Sequence, residues 1–179
     1  MTFETVRSET VFSGKVFSVR KDQIRLPDGK VLGLDLVEHK GAVTVIPLDV
    51  QDQIWFINQY RHPAGQVLLE LPAGVMDEGE NPAQSAQREL REEIGMAAEQ
   101  LTLVGEFFLA PGYSTEYMHV YLATGLYVAP LRPDEGEFIE IEKVPASQVS
   151  ALAAGGRIRD AKSLAALLLW QVTSKNETI

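Results

Sequence analysis

The chain has 179 residues, enough for one well-buried domain with a small appendage and too few for two large ones. Its 16 Lys and Arg stand against 25 Asp and Glu, a net charge of −9 without a basic run of the kind that tracks a phosphate backbone, which argues against a nucleic-acid partner. There is no cysteine, so a disulfide framework and a cysteine zinc site are excluded, and with neither a signal-like opening nor a membrane-length apolar run the expectation is a cytoplasmic protein with no membrane partner.

In chain order, polar and apolar residues alternate over 15–26 and 30–39, and Pro27-Asp28-Gly29 between them has the turn chemistry of a hairpin. Residues 42–49 and 53–60 read as apolar strands, and 67–71 as a further strand. Past a glutamate-rich helix, strands are predicted over 101–109, 117–124 and 137–144 from their β-branched and aromatic content. Helices are predicted over 145–154 and 161–172, the second carrying a run of leucines and Trp170 expected to be buried. Strands with helices on more than one face predict a layered α/β sandwich around a mixed sheet, and the polar tail after Val172 is expected to fray. His39, His62 and His119 are scattered without a metal-ligand spacing.

The stretch from Gly74 to Met96, GVMDEGENPAQSAQRELREEIGM, carries the chemistry. Asn81 suits an N-cap, Pro82 the first helical position, and Gly95 the left-handed residue that ends a helix, so a helix of roughly three turns is expected between them. At 3.6 residues per turn Ala83, Ala86, Leu90 and Ile94 share an apolar stripe that packs on a core. Glu89 and Glu93 are four apart on one face, with Glu92 beside them, and like charges so spaced destabilise a helix by roughly 0.2–0.5 kcal/mol per pair. A hard divalent cation would relieve that repulsion, and Mg²⁺, which takes a few carboxylates together with water and substrate phosphate, suits an open acidic cleft. Glu80 offers another carboxylate, and Arg88, four before Glu92, is placed to orient it by an ion pair.

Written as Gly74, five residues, Glu80, seven residues, then Arg88-Glu89-Leu90-Arg91-Glu92-Glu93-Ile94-Gly95-Met96, this stretch resembles the Nudix box at every defining position. Glu38-His39 with Gly41-Ala42-Val43, Gln59-Tyr60-Arg61 with Pro63, and Glu70 to Gly74 resemble segments of the ADP-ribose pyrophosphatase branch. Pro111, about fifteen residues past the box, resembles that branch's marker proline. The resemblance implies a Nudix αβα sandwich over 41–179, preceded by an antiparallel strand arm over 1–40 that serves dimerisation and completes the substrate site of a homodimer.

It also implies roles. Glu89, Glu93 and the Ala73 carbonyl would hold metal, two or more ions of Mg²⁺ with Mn²⁺ as the alternative. Glu92 would help position them, and Arg88 belongs to the catalytic set. In Arg132-Pro133-Asp134-Glu135-Gly136-Glu137, Glu135 is the candidate base and Glu137 an extra ligand. Arg61 would grip phosphate, its planar fork suiting that better than a lysine. Phe107 and Asp35 match places where the branch stacks on and hydrogen-bonds adenine, and Pro111 narrows the substrate. Gly33 stands where several relatives have an arginine, a departure that bears on base selectivity. The implied reaction is Mg²⁺-dependent hydrolysis of the ADP-ribose pyrophosphate to AMP and ribose 5-phosphate. Two alternatives stand beside it: a Nudix hydrolase of another nucleoside diphosphate sugar or dinucleotide, such as GDP-mannose or NADH, and a sensor that binds ADP-ribose without cleaving it.

Overall fold

A computed structural model of the chain describes residues 1–133 and 136–176, which divide into two compact units. The first comprises Met1–Gly41 and Phe108–Tyr117. It holds a sheet of strands β1 (Glu4–Ser13), β2 (Phe17–Arg25) and β3 (Val31–His39) in the order β1-β2-β3, both pairs antiparallel. The hairpin expected over 15–39 is present, and Gly29 turns it with φ of 86°. Strand β1 lies ahead of the two segments read from polar–apolar alternation. All of its residues are exposed, so no inside–outside alternation marks it, and it exists by virtue of its ladder to β2. Inside this unit Asp22 is buried, accepting from the Ser8 hydroxyl at 2.6 Å and from Arg20, which also reaches Glu38. The segment 108–117 lies along β3, with Val37 N–H donating to the Tyr113 carbonyl at 2.7 Å and Thr115 N–H to the Val37 carbonyl at 3.0 Å.

The second unit runs from Ala42 to Phe107 and again from Met118. Two sheets order it. One is β7-β4-β9-β8, from β4 (Ala42–Pro47), β7 (Ala73–Val75), β8 (Met96–Phe108) and β9 (Tyr117–Val128). The other is β10-β5-β6, from β5 (Gln53–Arg61), β6 (Gln66–Glu70) and β10 (Ile139–Pro145). Strand β4 runs parallel to β9 and antiparallel to β7, so the first sheet is mixed. The link between β4 and β5 closes on Asp49, whose carboxylate accepts from the N–H groups of Gln51 and Gln53 and from the Trp55 indole at 2.8 Å.

Every residue of β4 is buried because both of its faces are covered. Val43 and Val45 join Ile57, Ala86, Leu90 and Ile94 in one cluster, under helix α1 (Pro82–Glu93). Ile46 joins Ile54, Phe56, Leu69, Val120, Ala166 and Leu167 in the other, which also holds Val149 of α2 (Val149–Ala154) and is covered by α3 (Ala161–Asn176). Helices therefore pack on opposite faces of the mixed sheet, the αβα arrangement.

Several boundaries moved. β8 starts at Met96, and β10 runs on to Pro145, so α2 begins only after a 3₁₀ turn over Ala146–Gln148. Instead of fraying after Val172, α3 continues to Asn176. Its leucines are not uniformly buried: Leu167 lies in the core, whereas Leu164 and Leu168, four apart, face outward and Trp170 is half-buried. A helix packed on one side buries only one stripe, and on α3 that stripe takes in Lys162 and Ser163. Among the described residues no helix is long and apolar enough to cross a membrane.

Candidate active site

The site is built on α1 and on the strand that faces it. The helix begins with a reciprocal capping box: the Asn81 side chain accepts from Gln84 N–H at 2.9 Å, and the Gln84 side chain accepts from Asn81 N–H at 3.0 Å. Pro82 occupies the first turn, and Gly95 follows the helix with φ of 70°. With Ala86, Leu90 and Ile94 turned into the core, Glu89 and Glu93 are drawn under as well, at 7% and 6% exposure. Gly74 of β7 passes so close that a Cβ there would overlap the Glu89 carboxylate, which is the physical reason for a glycine at the head of the box. One residue earlier, Ala73 N–H donates to Glu93 Oε2 at 2.9 Å.

Arg88 ties the remaining carboxylates together. Its Nε and Nη2 each bond Glu80 at 3.0 Å, Nη1 bonds Glu89 at 2.6 Å and Glu92 at 2.9 Å, and Nη2 also donates to the Val75 carbonyl. The ion pair with Glu92 is thus present, as one spoke of a hub. Glu80, offered by the sequence as an additional carboxylate for a cation, is engaged with Arg88 and with the Asp77 N–H. The bonds to Glu80, foremost, then the charge and bond of Glu89 and the bond to Glu92 raise the Arg88 pKa further still. Glu80 in turn is held below the usual carboxylate range by Arg88.

Burial dominates the two inner glutamates. It pushes Glu89 up to about 7, against the pull of Arg88 and with the help of Glu92 and Glu137. Glu93 is raised well above the ordinary value by burial and by the charge of Glu89, the bond from Ala73 opposing. Both are carboxylates whose burial outweighs the positive charge near them, Arg88 for Glu89 and Lys162 for Glu93.

Beside them lies a second charged group. At the end of β5, Arg61 holds Glu70 through Nε at 3.0 Å and Nη2 at 2.8 Å, the strand-end pairing of an arginine with a nearby glutamate. Burial opposes the charge on Arg61, but the bonds and charge of Glu70 outweigh it, and Glu93 is within electrostatic range. Lys162 of α3 also bonds Glu70, and Asp160 accepts from Lys162 at 2.8 Å and from the N–H and hydroxyl of Ser163. Gln59, on the same strand face as Arg61, donates to Glu137 at 3.3 Å while its own buried carbonyl oxygen has no partner among the described residues. The charge of Glu137 is felt by both Glu89 and Glu93.

Glu89, Glu92, Glu93, Arg88, Ala73, Arg61 and Glu137 are accordingly gathered in the second unit. Phe107 belongs to that unit too, half-buried against the core cluster of Ile46 and Phe56. Asp35 is an exposed residue of β3, and Pro111 sits exposed in the turn closed by Tyr113 N–H on the Ala110 carbonyl, both in the first unit. Glu135 lies outside the described residues. Sequence reasoning missed roles for Glu70, Gln59, Asp160 and Lys162. Glu70 stood in the motif without an assignment, and Asp160 three before Ser163, ahead of a leucine run, is an N-cap signal that would have drawn notice to the start of α3.

The sequence matches the NUDIX domain over residues 38–167. The chain belongs to the Nudix family. This Nudix protein separately matches the nucleoside diphosphate sugar hydrolase N-terminal domain over residues 3–33. It is 46% identical to an ADP-ribose pyrophosphatase of Mycobacterium tuberculosis over 125 residues, 69% of this chain and 60% of that protein. It is 35% identical to an ADP-ribose pyrophosphatase of Bacillus subtilis over 171 residues, 94% of this chain and 92% of that one. A crystal structure of an ADP compounds hydrolase superposes with a TM-score of 0.89 at 26% identity, covering 99% of this chain and 96% of the other.

Nudix hydrolases are in general dependent on divalent metal, and the donor set here fits such an ion. Among the described residues no three acidic or imidazole side chains form a metal cage by themselves. Mg²⁺ does not require one, since it commonly takes one or two protein carboxylates and completes its shell with water and substrate phosphates. The positive observation is the pair Glu89 and Glu93: hard oxygen donors, buried, mutually repelling and raised in proton affinity, whose charge a cation would compensate.

Proposed function

We infer that this Nudix protein is a pyrophosphohydrolase that divides ADP-ribose between its two phosphates, giving AMP and ribose 5-phosphate. The observation that carries the reading is the box itself, in which α1 buries Glu89 and Glu93 side by side and Arg88 fixes Glu89 and Glu92. The relatives named ADP-ribose pyrophosphatase support the choice of substrate. Glu89, Glu93 and the Ala73 carbonyl hold Mg²⁺, with Mn²⁺ as a substitute, in two or more ions, and Glu137 adds a ligand. Bound metal supplies charge neutralisation of the pyrophosphate and a lowered pKa for water.

The protein's own groups supply the rest. Arg88 holds the Glu92 carboxylate in place, and Glu92 or Glu135 accepts the proton of the attacking water. Arg61 presents Nη1, the nitrogen that Glu70 leaves free, to a phosphate oxygen, a role suited to a side chain that is 38% exposed. Asp35 and Phe107 receive the adenine, and Pro111 narrows the choice of substrate. The arm over residues 1–40 completes a cytoplasmic homodimer and its substrate site. Exposed Val6, Val11 and Phe12 on β1, with Phe3 just ahead of it, support that, since exposed apolar side chains on a sheet-edge strand make a surface that pairs.

Gly33, in the place of an arginine, favours a second reading in which another nucleoside diphosphate sugar or a dinucleotide is preferred. A panel of ADP-ribose, GDP-mannose, NADH and diadenosine polyphosphates, assayed with Mg²⁺ and with Glu93→Gln as the control, tests both. Release of AMP fastest from ADP-ribose and absent in the variant is the expected result. Preference for another compound moves the substrate and keeps the chemistry, and inactivity across the panel points to a sensor that binds without cleaving.

A further inference from the structure

The network around Glu70 contains two anions and two cations in a place where charge is costly. Glu70 is 1% exposed and Lys162 8% exposed, and Ser163 is fully buried. Lys162 comes from α3, nearly a hundred residues beyond the strands that carry Arg61 and Glu70. Its ammonium bonds Glu70 on one side and Asp160 at 2.8 Å on the other. Asp160 is itself fixed by the N–H and hydroxyl of Ser163 at 3.0 and 2.6 Å, and the Ser163 hydroxyl donates to it while accepting from Leu71 N–H at 2.8 Å. The start of α3 is thereby stitched to the backbone residue that follows Glu70.

The consequence falls on Arg61. Both oxygens of Glu70 receive the Arg61 fork, and the oxygen that takes Nη2 is the one that also takes Lys162. A carboxylate gripped by a buried ammonium has one orientation, so the guanidinium plane lying against it has one as well. The charge count makes the same point. With Lys162 the four groups sum to zero; without it, Glu70 and Asp160 face Arg61 alone, and the guanidinium is drawn inward to satisfy both. An arginine so held cannot offer its outer nitrogen to a ligand.

We propose that Lys162 is a positioning residue for substrate binding, acting through Glu70 to hold Arg61 with its free nitrogen turned outward. The proposal rests on the reading of Arg61 as the phosphate grip, and neither it nor that reading requires Lys162 to touch substrate. A structural lysine that only supported α3 would lower stability and leave the kinetics of the folded enzyme unchanged. A positioning lysine changes KM, and changes it only while Arg61 is present.

The test is a double-mutant cycle on the full chain with ADP-ribose and Mg²⁺, with Lys162→Met and Arg61→Lys made singly and together. Lys162→Met is expected to raise KM about tenfold with kcat changed less than about threefold, whereas in the Arg61→Lys background the same substitution is expected to raise KM less than about twofold. Lys162→Arg, which keeps the charge, is expected to recover most of the loss. Should Lys162→Met fail to fold, Lys162→Gln, which removes the ammonium charge and keeps a polar side chain beside Glu70 and Asp160, takes its place in the cycle with a shift in the same direction. Equal effects of the lysine substitution in both backgrounds, or an unchanged KM, overturn the proposal. A wild-type protein that does not hydrolyse ADP-ribose, or one in which Arg61→Lys leaves KM unaltered, instead overturns the reading beneath it.

Discussion

Glu93 and Glu89 are the residues on which the chemistry turns, because each is a carboxylate placed where a carboxylate is least comfortable. Charge stabilisation by metal usually contributes more to catalysis than a general base does. Glu93→Gln is therefore expected to lower kcat by about 10³-fold or more, and Glu135→Gln by about 10²-fold, in the same Mg²⁺-saturated assay. Near-native turnover in Glu93→Gln would remove it from the metal site.

Their proton affinities set a pH dependence whose sign is fixed. In the folded, metal-free protein burial raises Glu89 from 4.5 to about 7, so the fold binds more protons than the unfolded chain between those values. Stability contributed by this group is complete below 4.5 and is lost as pH rises through about 7, with Glu93 acting in the same direction. Metal needs the ionised form, so Mg²⁺ affinity rises over the same interval. Urea titrations of metal-free protein at pH 5 and pH 8 should show the lower midpoint at pH 8, with Mg²⁺ restoring it. A midpoint independent of both pH and Mg²⁺ would mean that these carboxylates are paired in another way. The identity of these glutamates was legible from their spacing; their burial was not, because it depends on how closely β7 approaches, which Gly74 permits and no periodicity reveals.

At the scale of the element, α1 forms where its sequence says it should, for local reasons: a cap, a first-turn proline, an apolar stripe and a terminating glycine. Asn81→Ala removes the cap and is expected to destabilise the protein by about 1 kcal/mol, read as a lower urea midpoint with an unchanged slope. Gly95→Ala, forced to φ of 70°, is expected to cost about as much, since only glycine takes that conformation freely. Thermal unfolding of the two variants beside wild type checks both. The elements the sequence left obscure lack such local marks. Strand β1 has no buried face, and β7 has three residues, too few for any period. On α3 the run of leucines was expected to be buried, yet the packed stripe includes Lys162 and Ser163 while Leu164 and Leu168 point outward. A polar residue buried by a partner that lies far away in sequence cannot be read from its own helix.

For the whole molecule, the exposed apolar side chains of β1 and the first three-stranded sheet call for a covering surface. Sedimentation at micromolar concentration is expected to give twice the chain mass of 19.8 kDa, and Phe12→Glu on β1 to shift it towards the single chain. A single-chain mass for the wild type would leave the arm without the role proposed for it. By itself the sequence determined the reaction class, the helix that carries the glutamates and most of the strands, because capping, periodicity and box spacing are short-range features. Only the tertiary structure decided which groups surround those glutamates. Arg88 became a hub for Glu80, Glu89 and Glu92, and Arg61 met Glu70 across a hairpin. Lys162 came in from the last helix to join Glu70, because burying a charge requires an opposite charge nearby in space, wherever in the chain that charge is found.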